Sequence, residues 1–266
     1  MTLYREVSDE ARTARARDPY AGAFWRVTIA YGNFLFRFRN VVFPVVMVLL
    51  FVAFRPAFAG GSPASDAWLN ALGLLIVIAG QAVRAGVIGL AYIKRGGLKK
   101  KVYAENLVTE GVFAHCRNPL YVGNFLMLAG YFVIHNSPWV YLLGGIFFLY
   151  AYRAIVAAEE QYLHGKFGGA YEAYCRDVPR WWIEPRGLGR TFQDMTFNWR
   201  RVLLKDYATA QTWLITVLGL LAYEAVVAQG IAGARDTLIG LAVAAAVVFA
   251  LALAVRVLKK SKRLVE

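Results

Sequence analysis

The chain has 266 residues, 59% of them hydrophobic, and a formal net charge of +13. With a mean hydropathy of +0.45, it is too apolar for an ordinary soluble domain. The charge excess suggests nucleic acid at first sight, but the cations sit between long apolar runs, which excludes that partner in favour of a lipid surface.

Taken in chain order, residues 8–39 read as an amphipathic or interfacial stretch. Ser8 with Asp9 and Glu10 suits a helix cap, and Trp25, Phe34, Phe36 and Phe38 alternate with Arg26, Arg37 and Arg39 as in a headgroup layer. Residues 1–40 have no apolar core ahead of a cleavage site, so no signal peptide is expected. Apolar runs then predict membrane helices over 41–58, 67–93, 120–135, 139–157, 210–229 and 236–257. A span takes roughly 20 residues for a ~30 Å core, so the third is short. The second helix carries Gln81 and Arg84, and an arginine at that depth faces a bundle interior or snorkels outward. A carboxylate of the motif described below is its expected partner. Gly86 and Gly89 then allow close helix approach. After the basic Lys99, Lys100 and Lys101, Leu107-Val108-Thr109-Glu110-Gly111 reads as a short extended piece ending in a glycine turn.

Further along, His135-Asn136-Ser137-Pro138 is a tight turn between helices three and four. Between 158 and 209 the chain turns polar and aromatic. Leu163, Phe167, Tyr171 and Tyr174 fall on one helical face, suited to a lid. Trp181 and Trp182 suit an interface belt. The fifth helix contains Glu224, an intramembrane acid.

Of the 30 Lys and Arg residues, only Arg55 and Arg235 fall in the loops after helices one and five. The rest concentrate in 1–40, 94–119, 158–209 and the C-terminal tail. By the positive-inside rule this assigns N-in and C-in with six spans. Cys116 and Cys175 then face the cytosol and are expected as reduced thiols, Cys116 as a small buried hydrophobe. His115, His135 and His164 have no metal spacing, and no Walker loop, GxGxxG, CxxC or HExxH occurs.

One pair of segments carries chemistry. Cys116-Arg117-Asn118-Pro119-Leu120-Tyr121-Val122-Gly123-Asn124 precedes the membrane hairpin, and Glu159-Glu160 follows it. The hairpin is expected to return the chain to one depth, so that a polar helix start faces two carboxylates. Asn118 is the expected N-cap and Pro119 the first helical residue, giving an anion-attracting helix end. Glu159 and Glu160 oppose the helix dipole at their C-terminal position, which suggests a nearby cation or hydroxyl donors.

These residues resemble the integral-membrane methyltransferases typified by isoprenylcysteine carboxyl methyltransferase and the phospholipid N-methyltransferases. Their signature, Arg-His-Pro-x-Tyr-x-Gly, a hairpin, then Glu-Glu, stands here as Arg117-Asn118-Pro119-Leu120-Tyr121-Val122-Gly123 and Glu159-Glu160. Gln81-Ala82-Val83-Arg84, Leu107 to Gly111, Phe167-Gly168, Tyr171, Tyr174 and Val178-Pro179-Arg180 extend the likeness over about 75–185. The resemblance implies an all-α polytopic membrane helical bundle of about six transmembrane helices with a cytosolic-side cofactor pocket. S-adenosylmethionine would be held by Glu105, Asn106, Leu107, Val108, Phe113, Arg117, Asn118, Pro119, Leu120, Tyr121, Gly123 and Glu159. Glu160, as base, and Arg180 and Arg84, orienting a polar headgroup, would act on the acceptor. Two departures bear on substrate. Asn118 replaces the motif histidine and does not titrate near neutral pH. Ile155 stands where the prenylcysteine enzymes place an arginine, with Arg153 two residues earlier, which argues against prenylcysteine as the acceptor.

The expected organisation is an N-terminal cytosolic or interfacial segment (1–40), a methyltransferase-like membrane core (41–209) with a lid (158–209), and a two-helix membrane extension (210–266). The expected function is methyl transfer to a lipid or lipophilic small molecule at the cytosolic face, in a bacterial inner membrane, with bilayer lipid as partner and neither nucleic acid nor metal. The alternatives are an NADPH-dependent membrane reductase of related fold, with Lys99 to Lys101 holding a phosphate, and a non-enzymatic scaffold or transporter.

Overall fold

A computed structural model describes residues 20, 22–90, 102, 104–193, 195–262 and 264. The expected cap at Ser8, Asp9 and Glu10 and the basic run Lys99, Lys100 and Lys101 lie outside the described residues. The described residues form helices α1 (Ala23–Ala53), α2 (Pro63–Leu90), α3 (Pro119–His135), α4 (Gly145–Phe167), α5 (Gly169–Asp177), α6 (Leu188–Gln193), α7 (Trp199–Gly233) and α8 (Arg235–Lys260). Short 3-10 turns occupy Ala59–Gly61 and Gly111–Ala114, and a π turn over Val140–Gly144 opens α4. Among them there is no strand, only an isolated bridge at Ala104. The all-helical fold class expected from hydropathy is the one observed. Among the described residues five helices are long and apolar enough to cross a membrane, and α3 is a shorter apolar helix.

Three boundaries differ from expectation. From Ala23 onward the expected interfacial stretch and the first membrane helix are one helix, α1, because no proline interrupts the backbone before Pro44. Two of its arginines lie over aromatic rings of the same helix, Arg39 at 4.4 Å from the Phe36 centroid and Arg37 at 5.2 Å from Phe38. Second, α7 begins at Trp199, before its apolar run, because the Asn198 side chain caps it by accepting from the Arg201 amide at 3.0 Å. Third, the aromatic stripe from Leu163 to Tyr174 spans two helices, since Gly168 (φ 52°) takes a left-handed turn between α4 and α5.

The chain forms two compact units. The first comprises α1 up to Pro44, the segment ending at Leu107, and the chain from Phe147 to Glu172. Here α1 packs on α4. A Cβ on Gly32 would lie 2.0 Å from the Ala154 carbonyl oxygen, so the two backbones touch. Phe43 sits edge-on to Phe148 at 5.2 Å and Tyr152 at 5.3 Å, and Tyr31 stacks on Tyr150.

The second unit holds the rest of α1, then α2, α3, the segment from Val108 to Ile146 and everything after Ala173. Its spine is the α2–α3 pair, which meets through Gly73 with Gly130 and Gly80 with Gly123. Gly86, expected at such a contact, meets nothing within 4 Å, and Gly89 instead receives the Phe197 ring. The turn after α3 forms as expected. Asn136 adopts a left-handed conformation (φ 48°), its amide returning to the Phe132 carbonyl and its side chain donating to the Ala57 carbonyl at 2.9 Å.

Candidate active site

In the second unit Asn118 occupies the N-cap position of α3 and Pro119 the first helical position, as the sequence implies. The side chain does not cap the helix. With φ −130° and ψ 51°, Asn118 points its amide away from the first turn, and Nδ2 donates to the Arg180 carbonyl at 3.2 Å. Its backbone carbonyl takes the Tyr121 and Val122 amides at 3.0 and 3.2 Å. The start of α3 is thus left without a side-chain cap and retains the partial positive charge of a helix N-terminus.

The contact with Arg180 is one of a set. The Arg117 amide donates to the Pro179 carbonyl at 2.9 Å, and its guanidinium reaches the Cys175 Sγ at 2.8 Å. The Tyr174 hydroxyl donates to the Phe113 carbonyl at 2.7 Å. The fully buried Cys116 directs its thiol at the Arg180 carbonyl, 3.8 Å away. Burial pushes that thiol above its ordinary value, against smaller downward pulls from the Asn118 backbone and the Arg117 charge. His115 extends the clasp. Its Nδ1 donates to the Glu184 carbonyl at 2.9 Å, which leaves Nε2 to pair with the Thr191 hydroxyl at 2.8 Å. Two stretches some sixty residues apart, 111–118 and 174–191, therefore close on each other.

Beneath this clasp lies an apolar floor. Phe113, Val112 and Val87 are buried together, with Val83, Leu90, Val108, Leu120 and Met195 packed against them. Of the residues expected to hold the donor, Val108, Phe113 and Leu120 thus share one cluster, and Asn118 and Pro119 are buried above it. Tyr121 is half-buried. Gly123 is a helix contact: a Cβ there would lie 2.8 Å from the Gly80 carbonyl and 2.7 Å from Arg84 Cγ.

Arg84 has a different carboxylate partner from the expected one. Its guanidinium pairs with Asp206 of α7, which is 1% exposed. It also donates to Asn124 Oδ1 at 2.7 Å and reaches the Thr209 hydroxyl at 3.3 Å. Gln81 donates to the other Asp206 oxygen at 2.8 Å. The physical reason is register: residues 81 and 84 are one turn apart on α2 and both reach a single carboxylate. Asp206 and Thr209, missed by the sequence reading, announce themselves only as polar residues in a stretch that hydropathy leaves outside the spans. Asn124 lay in plain view at the end of the motif.

In the first unit, Glu160 is 2% exposed and accepts from the Tyr20 hydroxyl at 2.7 Å. Glu159 is half-buried. Tyr20, Ile29, Ala157 and Ala158 form the apolar cluster around this carboxylate, with Trp25 against it. Lys166 donates to the Ala104 carbonyl and, at 3.3 Å, to that of Glu105, fixing the exposed Glu105–Asn106 stretch. Ile155 is fully buried and Arg153 exposed, so the position of the prenylcysteine enzymes' arginine is apolar and inward here.

The second-unit residues fit part of an adenosylmethionine-type donor by their chemistry: an apolar floor of Val108, Phe113 and Leu120 and a helix start suited to a carboxylate. Among the described residues no group of three or more His, Cys, Asp or Glu side chains is arranged to hold a metal ion.

Residues 68–170 match the family model described as phospholipid methyltransferase. The chain is 33% identical over 117 residues to the protein-S-isoprenylcysteine O-methyltransferase of Mus musculus, covering 42% of this chain and 40% of that one. It is 27% identical over 152 residues to the nickel-cobalt-cadmium resistance protein NccN of Alcaligenes xylosoxydans xylosoxydans, 55% of this chain and 65% of that one. The cobalt-zinc-cadmium resistance protein CzcN of Cupriavidus metallidurans is 28% identical over 155 residues, 56% and 66% of the two chains. The chain spans less than two thirds of the length of each of these relatives. No solved structure matches it.

Proposed function

We propose that the chain is an integral-membrane methyltransferase, a reading supported by the match of residues 68–170 to the phospholipid methyltransferase family model and by the likeness to a protein-S-isoprenylcysteine O-methyltransferase. In this reading it transfers a methyl group from S-adenosylmethionine to a lipid or lipophilic small molecule at the cytosolic face of a bacterial inner membrane. The observation that carries it is the clasp in which Asn118 and Arg117 bond to the carbonyls of Arg180 and Pro179. That clasp joins the two motif-bearing stretches around an uncapped helix start and an apolar floor.

The donor supplies an electrophilic methyl on a sulfonium. The chain's own part is positioning and exclusion of water, the main means by which a protein promotes such a transfer. Phe113, Val108 and Leu120 provide an apolar surface. The α3 amides take the donor's carboxylate, and Glu159 enters as a donor ligand on the family resemblance. Arg84 and Arg180 orient a polar headgroup. Glu160, buried and hydrogen-bonded to Tyr20, receives a proton where the acceptor must lose one. The buried Ile155 supports an acceptor without the carboxylate of a prenylcysteine.

The test is calorimetric titration of the detergent-purified protein with S-adenosylhomocysteine, wild type beside Glu159→Ala. Micromolar binding that the variant loses supports donor and site together. A folded wild type that binds none refutes the reading.

A further inference from the structure

The family segment ends at residue 170, yet the chain continues through α7 and α8. We infer that this C-terminal pair belongs to the methyl-transfer machinery, and that Asp206 of α7 is a positioning residue for Arg84 and, through it, for Asn124 at the end of the motif. The inference rests on the methyltransferase reading given above.

Three sets of contacts carry it, all inside the second unit. The first is the buried network. Asp206 presents one oxygen to Arg84 and the other to Gln81, Thr209 adds its hydroxyl from the next turn of α7, and Arg84 in turn holds Asn124 Oδ1 at 2.7 Å. A largely desolvated guanidinium, 13% exposed here, is tolerable when its charge is compensated, and Asp206 compensates it. The second is the approach to α7. Phe197 enters the notch at Gly89, Met195 fills the notch at Gly111 and packs on the Phe113 floor, and the Asn198 amide donates to the Gly89 carbonyl at 2.9 Å. The third ties α8 to the same turn: Lys259 Nζ donates to the Leu204 carbonyl at 2.9 Å and lies 5.6 Å from the centroid of the Tyr207 ring.

The network also leaves a mark of its purpose. Gln81 Oε1 and Arg84 Nε are buried and have no hydrogen-bond partner among the described residues. One acceptor and one donor remain open beside a fixed charge, the complement of a headgroup that carries both an N–H or O–H and an anionic or carbonyl oxygen.

The decisive variant is Asp206→Asn. It keeps the shape and an acceptor oxygen for the Arg84 guanidinium, and it is assayed only as protein that elutes as a folded, monodisperse species. It removes the charge that holds Arg84. Membrane protein is assayed with radiolabelled S-adenosylmethionine and a bacterial polar lipid extract, beside calorimetry with S-adenosylhomocysteine. We expect donor affinity to stay within about two-fold, apparent KM for the lipid extract to rise and kcat/KM to fall about ten- to hundred-fold, and Asp206→Glu to recover part of the loss. Should Asp206→Asn not accumulate as folded protein, Thr209→Val gives the same split at smaller amplitude. An active wild type whose Asp206→Asn form is unchanged, or loses donor binding and activity in equal proportion, overturns the positioning role. A wild type that neither binds the donor product nor labels lipid overturns the methyltransferase reading instead.

Discussion

Gly80 of α2 and Gly123 of α3 face each other with no room for a side chain on either. A Cβ on Gly80 would lie 2.6 Å from the Gly123 carbonyl oxygen, and one on Gly123 2.8 Å from that of Gly80. The contact fixes the two helices that carry Arg84 and Asn124. Substituting Gly80→Ala is therefore expected to destabilise by about 1–3 kcal/mol through forced separation of the backbones, outweighing the ~1 kcal/mol that alanine gains over glycine within a helix. Gly86→Ala, with nothing within 4 Å, should keep that gain. Thermal unfolding in detergent compares the two, and equal midpoints would show that the crossing is not tight.

Asn118→Asp separates the clasp from helix capping. A carboxylate has no N–H to give the Arg180 carbonyl, but it caps α3 well. The expected signature is a nearly unchanged unfolding temperature with S-adenosylhomocysteine affinity lowered about ten-fold, or ~1.4 kcal/mol. Asn118→His, which keeps a donor and matches the family motif, should bind within a few-fold of wild type. Full affinity in the aspartate variant would show that the clasp does not contribute to donor binding.

The two thiols differ in a way that labelling reads directly. Cys116 is fully buried and its thiol is pushed up by that burial, whereas Cys175 is half-exposed beside Arg117. Maleimide at neutral pH should modify Cys175 well before Cys116. Because the folded-state value of Cys116 is raised, its contribution to stability is fully present below the unfolded value near about 8.5 and declines as pH rises through the folded one. Cys116→Ala should flatten that alkaline decline. Equal labelling rates in the folded protein would contradict the buried placement.

Glu224 of α7 is 5% exposed and accepts from Asn70 Nδ2 of α2 at 2.8 Å. Glu224→Leu strands the Asn70 amide and should cost about 1–3 kcal/mol. Glu224→Gln, which keeps an acceptor oxygen, should stay near wild type. If the leucine variant unfolds at the wild-type temperature, the pair does not join α2 to α7 energetically.

The helices were legible because long apolar runs have few other solutions in a bilayer. Their starts were not. α1 and α7 both begin in polar or aromatic sequence, where hydropathy falls but helical hydrogen bonding continues, and only the cap at Asn198 marks one of them. The motif around Asn118 was legible as a helix start, yet the direction of its side chain depends on Arg180, 62 residues away in sequence. Arg84 shows the same limit. Its burial follows from its place in an apolar run, but Asp206, 122 residues distant, is one of several acids that composition alone leaves equivalent.

The clasp also imposes an order on biogenesis. Arg117 and Asn118 leave the ribosome long before Pro179 and Arg180, and Arg84 long before Asp206. A nascent chain that has emerged only through α4 has inserted its early helices but has none of these closing bonds. Because folding proceeds from the N-terminus during synthesis, assembly of the motif waits for the last third of the chain. Premature termination between α3 and α7 thus leaves the guanidinium at residue 84 without its carboxylate.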